Sequence, residues 1–280
     1  MAHLHEGDCR AVLPTLAAGS VDSVVTDPPY PCIKRPYGYW TESPWFELMD
    51  VVVPECRRVL KPTRSAVFIL QPNSERLGKM RLWLWEFVLK WGKEWGLVQD
   101  AYWWSVNAIP EAHSIQGKLM RPSVKWCVWL GTPHCYRNQL AVKWTESDEN
   151  RKRRMTARAG RESHPSGHGM DRVRSTASGE SGVTPYNVLP FACVGEEQSK
   201  SGGKHTAMTP LALTRWWVRY LTPPGGIVLD PFAGSGTTLL AAQQEGMRAV
   251  GIEQDAKHCD IIRARLATAG ASNDLFAEAV

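Results

Sequence analysis

Apolar residues recur along the chain in two rhythms, and the alternation between them predicts the fold. Residues 20–26, "SVDSVVT", read as a strand that ends at Asp27-Pro28-Pro29-Tyr30. Ser43-Pro44 reads as a helix start, a capping hydroxyl followed by proline at the first helical position. Behind it Trp45, Leu48, Met49, Val52, Cys56, Val59 and Leu60 form an apolar stripe. "SAVFIL" (65–70) is a continuous apolar run, the kind buried on both faces of a parallel sheet. Residues 75–95 predict a helix, and "LVQDAYWWSV" (97–106) and "VKWCVWLG" (124–131) predict two later strands. From about 137 to 205 the periodicity fails. That stretch is polar and rich in Arg, Ser and Gly, with "YNVLPFACV" as its apolar anchor. A segment so long without structure of its own is functional or disordered. Regularity returns at Thr209-Pro210, which starts a helix carrying Leu211, Leu213, Trp217, Tyr220 and Leu221, and Gly225-Gly226 punctuate its end. "IVLD" (227–230) is a strand, 237–245 a helix, "RAVGIE" (248–253) a strand and 256–268 a last helix. The alternation implies an α/β, doubly wound sheet with helices on both faces.

Composition changes this picture little, but charge does. The 280 residues, 43% hydrophobic and 22% charged, suit one large domain or a domain with an appendage. No apolar run reaches the ~20 residues of a membrane span, and "MAHLHEGDCR" has no basic start followed by an apolar stretch. The seven cysteines are odd in number and never form a Cys-x-x-Cys pair, which argues against a disulfide framework or a zinc knuckle. A reducing cytoplasm is the expectation. His164 and His168 lack partners at metal-ligand spacing, so no metal is assigned. Residues 151–174 hold eight Lys or Arg against Glu162 and Asp171, so this window alone accounts for the net charge of +5. Such a focus suits a polyanion such as nucleic acid. A solvated loop with incidental charge fits it equally well.

Two stretches carry candidate chemistry. "IVLDPFAGSGTT" (227–238) is a strand, a glycine turn and a helix start, in which Gly234 and Gly236 let the backbone approach a ligand closely. Leu239 stands where a dinucleotide fingerprint needs its third glycine, and the lysine of a phosphate loop is missing. Glu253, at the end of the next strand, stands where a carboxylate binds ribose hydroxyls, so the ligand reads as nucleoside-like. The second stretch is "VVTDPPYPC" (24–32). By itself it is either a rigid turn after a strand or a preorganised site around Asp27 and Tyr30.

Together these stretches resemble the DNA amino-methyltransferases, "DPFAGSGTT" their S-adenosylmethionine loop and "DPPY" their catalytic motif. The catalytic motif precedes the cofactor loop, the permuted order of the β class. "HEGDC" (5–9) is similar to the family segment that offers a carboxylate to the cofactor's adenine. "YWWSVNAIP" and "RPSVKWCVW" look like the paired strands after the catalytic half. "KHTAMTP" (204–210) resembles a His-Pro-Thr-Gln-Lys-Pro stretch in which only His205 and Pro210 match. The resemblance implies a circularly permuted Rossmann-like methyltransferase sheet of seven strands with one antiparallel, interrupted by a target-recognition segment. The catalytic half would be 1–136, the insert 137–203 and partly disordered, and the cofactor half 204–280. S-adenosylmethionine would be held by Asp8, Cys9, Asp27, His205, Thr206, Asp230, Phe232, Ala233, Gly234, Ser235, Gly236, Thr237, Glu253 and Gln254. Double-stranded DNA is the implied substrate, and a homodimer the implied assembly.

Chemistry gives the implied catalytic residues, Asp27, Pro28, Pro29 and Tyr30, distinct work. An exocyclic amine is a poor nucleophile because its lone pair is delocalised into the ring. Acceptors on its two N–H bonds, the Asp27 carboxylate and the Pro28 carbonyl, favour a tetrahedral nitrogen as it attacks a sulfonium methyl. Tyr30 would stack on a base flipped out of the duplex. Aspartate in the first motif position leans toward adenine N6 over cytosine N4, where related enzymes more often carry Ser. Cys32, after Pro31, is the rival chemist, a thiolate nucleophile for cytosine C5; Glu149-Asn150 continues with Arg151 and does not match the companion glutamate motif. Lys34, Arg35 and Tyr37 lie in a loop beside the motif, with Tyr39 and Trp40, that could touch DNA or close over the base. Arg151, Lys152, Arg153, Arg154, Arg158, Arg161, Arg172 and Arg174 are the DNA-contact candidates of the insert. Trp45, Trp83, Trp126 and Trp217 read as core. A non-catalytic DNA-binding regulator on the same fold, or a methyltransferase of RNA or of protein amides, are the competing readings.

Overall fold

The computed structural model describes residues 2–34, 39–75, 79–106, 120, 122–144, 184–193 and 209–277, the last eight as backbone alone. The chain divides into two compact units, Met1–Asn138 with Asn187–Val280, and Gln139–Tyr186. In the smaller unit the described residues form a 3₁₀ turn at Leu140–Val142 and a ring contact of 5.5 Å between Trp144 and Tyr186.

The larger unit is built on one sheet, of nine strands among the described residues. These are β1 (Ala2–Glu6), β2 (Val21–Thr26), β3 (Leu60–Leu70), β4 (Leu97–Gln99), β5 (Tyr102–Trp104), β6 (Val124–Gly131), β7 (Val188–Pro190), β8 (Ile227–Asp230) and β9 (Arg248–Glu253). Their spatial order is β1-β9-β8-β2-β3-β6-β5-β7, with β4 also on β6. β6 is antiparallel to β3, β4 and β5, while every other pairing is parallel. One reversed strand is what the resemblance implies, whereas the count of seven is corrected to nine. The N-terminal Ala2–Glu6 and the short Val188–Pro190, for which the pattern predicts no strand, extend the two edges.

The helices are α1 (Cys9–Val12), α2 (Glu42–Val59), α3 (Trp83–Trp91), α4 (Leu211–Leu221), α5 (Thr237–Gln244) and α6 (Ala256–Ala277). The helix expected over 75–95 is shortened to Trp83–Trp91, because the chain before it folds into a loop. Glu75 N–H donates to Lys79 O at 2.8 Å, and Arg81 N–H to Asn73 O at 3.0 Å. α2 begins at Glu42, ahead of the expected Ser43 cap, and Pro44 is tolerated because first-turn N–H groups have no helical partner. The last helix runs nine residues beyond its expected end.

Period-two alternation sorts the strand residues between two apolar layers. On one face Val24, Ala66, Phe68, Leu70, Val128 and Leu130 join a core with α2 and α3. Trp45 packs edge-on against Trp83 at 4.8 Å, and Phe68 against Phe87 at 5.8 Å. On the other, Trp129 meets Trp217 of α4 at 6.0 Å. Trp45, Trp83 and Trp217 are fully buried, as core residues should be, and Trp126 is half-buried against the core. At the far end of β2, buried Asp22 ties three strands together. It takes Lys61 at 2.7 Å and Arg64 at 3.3 Å from β3, and the Ile227 N–H at 3.0 Å from β8.

Gly236 closes the β8–α5 turn with φ of +80°, and a Cβ there would sit 2.9 Å from Ile262 of α6. Gly236→Ala should therefore lower the unfolding free energy by about 1–3 kcal/mol, from strain and overpacking together. Urea denaturation measures this, and a variant as stable as the wild type would contradict it.

Candidate active site

The site follows from the sheet's register. β2 pairs β8 through Ser23↔Val228 and Val24↔Leu229, while β8 pairs β9 up to Asp230↔Gly251 and β9 pairs β1 up to Glu6↔Glu253. The carboxyl ends of all four strands thus reach one edge, carrying Asp27, Asp230, Glu253 and the turn to Asp8. From β8 the chain winds to one side and from β2 to the other, so the edge between them is the switch point where open α/β sheets bind ligands. A cavity of roughly 170 Å³ lies there, lined by all of these acids.

At one end of the cavity stands Asp27. Its Oδ1 accepts the Tyr30 hydroxyl, and its Oδ2 accepts the Thr209 hydroxyl at 2.5 Å. Lys125 Nζ lies 3.6 Å from Oδ2 and donates to Tyr30 Oη at 3.1 Å. The prolines fix φ, and side chains pin their carbonyls: Trp45 Nε1 donates to Pro29 O and Asn73 Nδ2 to Pro31 O, both at 2.6 Å. No donor among the described residues takes the Pro28 carbonyl. Pro28, Pro29 and Tyr30 all line the cavity, as does Trp40. Cys32 stands outside the lining, in a left-handed conformation with φ of 60°, its N–H donating to Trp40 O.

The other end is a wall of acceptors. Asp230 is buried, and its Oδ1 accepts the Thr26 hydroxyl at 2.6 Å and the Phe232 N–H at 3.1 Å. Burial pushes its carboxyl up to about 6, against the pull of Thr26, Thr238 and the Phe232 N–H. Glu253 accepts the Gly234 N–H at 2.8 Å and the Asp255 N–H at 2.9 Å, which moors the glycine turn to β9. Asp8 caps α1 through the Arg10 N–H and pairs with the Arg10 guanidinium, which holds its carboxyl below the usual range. Burial raises the Cys9 thiol to about 12, far from a thiolate at neutral pH. Phe232, Ala233, Gly234, Ser235, Thr237 and Gln254 complete this wall, while Gly236 sits behind it against α6. Arg265 of α6 supports the turn from behind, Nη1 donating to Ser235 O at 2.5 Å.

The structure thus gathers eleven of the fourteen expected cofactor residues and all four expected catalytic ones around one cavity. His205 and Thr206 lie outside the described residues, as do Arg35, Tyr37 and the eight basic residues from Arg151 to Arg174. Lys34 is exposed and away from the cavity. Two functional neighbours of Asp27 escape the sequence reading. Thr209 looks like an ordinary helix start, and Lys125 like the first polar position of a strand. Among the described residues no group of three or more His, Cys, Asp or Glu is placed to hold a metal ion, and no helix is long and apolar enough to cross a membrane. The acceptor-rich wall, with hydrogen-bonded carboxylates and no lysine in the glycine turn, suits a ligand that offers an ammonium and ribose hydroxyls rather than phosphates.

A permuted, doubly wound sheet with one reversed strand and an acid-lined cavity at its switch point defines the S-adenosylmethionine-dependent methyltransferase fold. The chain belongs to the N6/N4 methyltransferase family, described as DNA methylase, whose model matches residues 21–264. It is thus a DNA methyltransferase, with DNA as substrate and S-adenosylmethionine as cofactor. The Type II methyltransferase M.Cfr9I of Citrobacter freundii is 29% identical, the match spanning 95% of this chain and 87% of that one. M.HinfI of Haemophilus influenzae is 24% identical over 93% of this chain and 67% of its own. Among solved structures, PvuII DNA methyltransferase (cytosine-N4-specific) superposes with a TM-score of 0.69 at 20% identity, over 94% of this chain and 86% of that one. The DNA modification methylase TTHA0409 of Thermus thermophilus, complexed with S-adenosyl-L-methionine, gives 0.58 at 22% identity over 96% of both chains.

The buried Asp230 makes stability depend on pH. With its folded value raised from 3.8 to about 6, ionisation costs the cofactor-free protein about 3 kcal/mol. The cost is absent below the lower value and complete above the upper one, so stability falls as pH rises through this window. Wild type should lose about 3 kcal/mol relative to Asp230→Asn between pH 4 and pH 7 in urea titrations. A difference independent of pH would contradict the assignment.

Proposed function

We propose that the protein methylates the N6 amine of an adenine flipped out of duplex DNA, with Asp27 as the residue that engages the amine. The observation that carries this reading is the position of Asp27, held by hydroxyls on both oxygens at the cavity end opposite the acceptor wall.

A carboxylate has about four lone-pair directions, so two hydroxyl donors leave it able to accept an amine N–H. The Pro28 carbonyl is the second acceptor, and together they draw the amine nitrogen toward tetrahedral geometry. Bound S-adenosylmethionine supplies an electrophilic methyl carbon on its sulfonium. Asp230, Glu253 and Asp8 hold that cofactor as hydrogen-bond acceptors, while Phe232 and the turn through Gly234 shape its bed. The Tyr30 ring borders the cavity as a stacking surface for the base. Asp27 is placed to take the proton that the methylated amine releases. Catalysis on this reading is positioning and fixed electrostatics, with no covalent enzyme intermediate. Cys32, outside the cavity lining, has no part in it.

The choice of adenine rests on aspartate in the first motif position. The segment 137–203 is proposed to read the target sequence, its Arg and Lys residues meeting the DNA backbone. The family resemblance also supports a working homodimer in the cytoplasm, which sedimentation of the protein alone and with duplex tests.

Incubation of the protein with unmodified DNA and isotope-labelled S-adenosylmethionine, followed by digestion to nucleosides, should place the label in N6-methyladenine. Label in N4-methylcytosine would overturn the base, and label in 5-methylcytosine would overturn Asp27 in favour of Cys32. Asp27→Asn keeps the shape but removes the charge. It should lower kcat by about 10²–10³-fold, the scale of losing one preorganised electrostatic contact.

A further inference from the structure

Lys125 has a place in the site that no motif assigns. Its Nζ reaches the cavity wall between Tyr30 Oη, at 3.1 Å, and Asp27 Oδ2, at 3.6 Å, and lies over the ring of buried Trp103 at 4.8 Å. An ammonium has three donors. Among the described residues Lys125 makes one hydrogen bond, to Tyr30, and so keeps donors for a ligand in the cavity. Asp27 and Lys125 therefore present an acceptor and a donor side by side.

The Watson–Crick edges of the bases sort by that same order. Adenine presents an amine donor beside the N1 acceptor, and cytosine an amine donor beside the N3 acceptor. Guanine and thymine present a carbonyl acceptor beside a ring N–H donor. A carboxylate paired with an ammonium matches the first two and meets the others with like against like. We infer that Lys125 is a specificity-determining residue, its ammonium donating to the ring nitrogen next to the amine that Asp27 engages. This rests on the proposed role of Asp27 and extends it, because the reading of the base becomes a property of a charged pair. A wrong base leaves both members unsatisfied in a closed pocket, which rejects it more strongly than loss of a contact alone.

The rival role is structural, in which Lys125 steadies Tyr30 and Asp27 and never meets the base. A cycle that changes both the side chain and the base atom separates the two. Wild type and Lys125→Met are assayed on duplexes whose target adenine is either normal or 1-deazaadenine, where N1 becomes C–H; 3-deazacytosine serves if the labelled product is cytosine. The altered basicity of the analogue acts on both enzymes and cancels. Wild type should lose about 10–100-fold in kcat/KM on the deaza base, the range for a hydrogen bond to a charged group. Lys125→Met should lose a similar factor on the normal base and little more on the analogue. Equilibrium binding of the same duplexes with S-adenosylhomocysteine should repeat the pattern, and Lys125→Gln provides a second variant should Met fail to fold. Equal discrimination by wild type and variants would overturn the inference while leaving Asp27 in its role. Failure of wild type to methylate any amine would overturn both.

Discussion

The whole site depends on one short contact, the parallel pairing of β2 with β8. Only Ser23↔Val228 and Val24↔Leu229 are in register there, yet they join residues some 200 positions apart in the chain. Three hydroxyl bonds reinforce the seam. Thr26 donates to Asp230 at 2.6 Å, Thr238 to Val25 O at 3.3 Å, and the hydroxyls of Ser23 and Thr222 meet at 2.7 Å. Closing so long a loop carries an entropic cost that grows only logarithmically with length, so a compact, fully buried seam suffices. Asp27 and the glycine turn face one cavity because of this seam.

The two ends of that cavity are held by different physics. Around Asp27 the backbone has little freedom: two prolines fix φ, and the indole of Trp45, itself in the core, grips the Pro29 carbonyl. The rigidity of the motif thus originates in the α2–α3 core. Around the glycine turn the constraint is electrostatic, since backbone N–H groups of Gly234, Asp255 and Phe232 all point at carboxylates. A turn so moored keeps its shape without a bound ligand, which lowers the ordering cost of binding one. Asp230 shows the accompanying cost, a carboxyl raised to about 6 by its own burial.

Much of this was legible in the residues because it is local. Strands 124–131, 227–230 and 248–253 and the helix stripes of α2 and α4 follow from periodicity, and two motifs at strand ends suffice to mark both poles of the cavity. The expected helix over 75–95 failed at its first half because Glu75 and Arg81 spend their N–H groups on a loop, a choice that helical spacing does not encode. The edge strands β1 and β7 were missed for a related reason. Five and three residues long, they are strands only by virtue of their partners β9 and β5.

The sequence by itself determined the chemistry available: a carboxylate between a strand and two prolines, an aromatic ring three residues on, and a glycine turn without a lysine. Those features are set by covalent order and by the φ preferences of Pro and Gly, which act within a few bonds. Only the tertiary structure decided which groups surround Asp27. Because β6 runs against its neighbours, its first residues reach the ligand edge where the other strands present their last ones. That reversal, paired as Ile69↔Cys127 and Leu70↔Trp126, carries Lys125 to the carboxylate, and the start of α4 brings Thr209 to it from the other half of the chain. Side-chain identity is written in the sequence, but the direction of a strand is fixed by its partners, and here that direction puts a cation beside the catalytic acid.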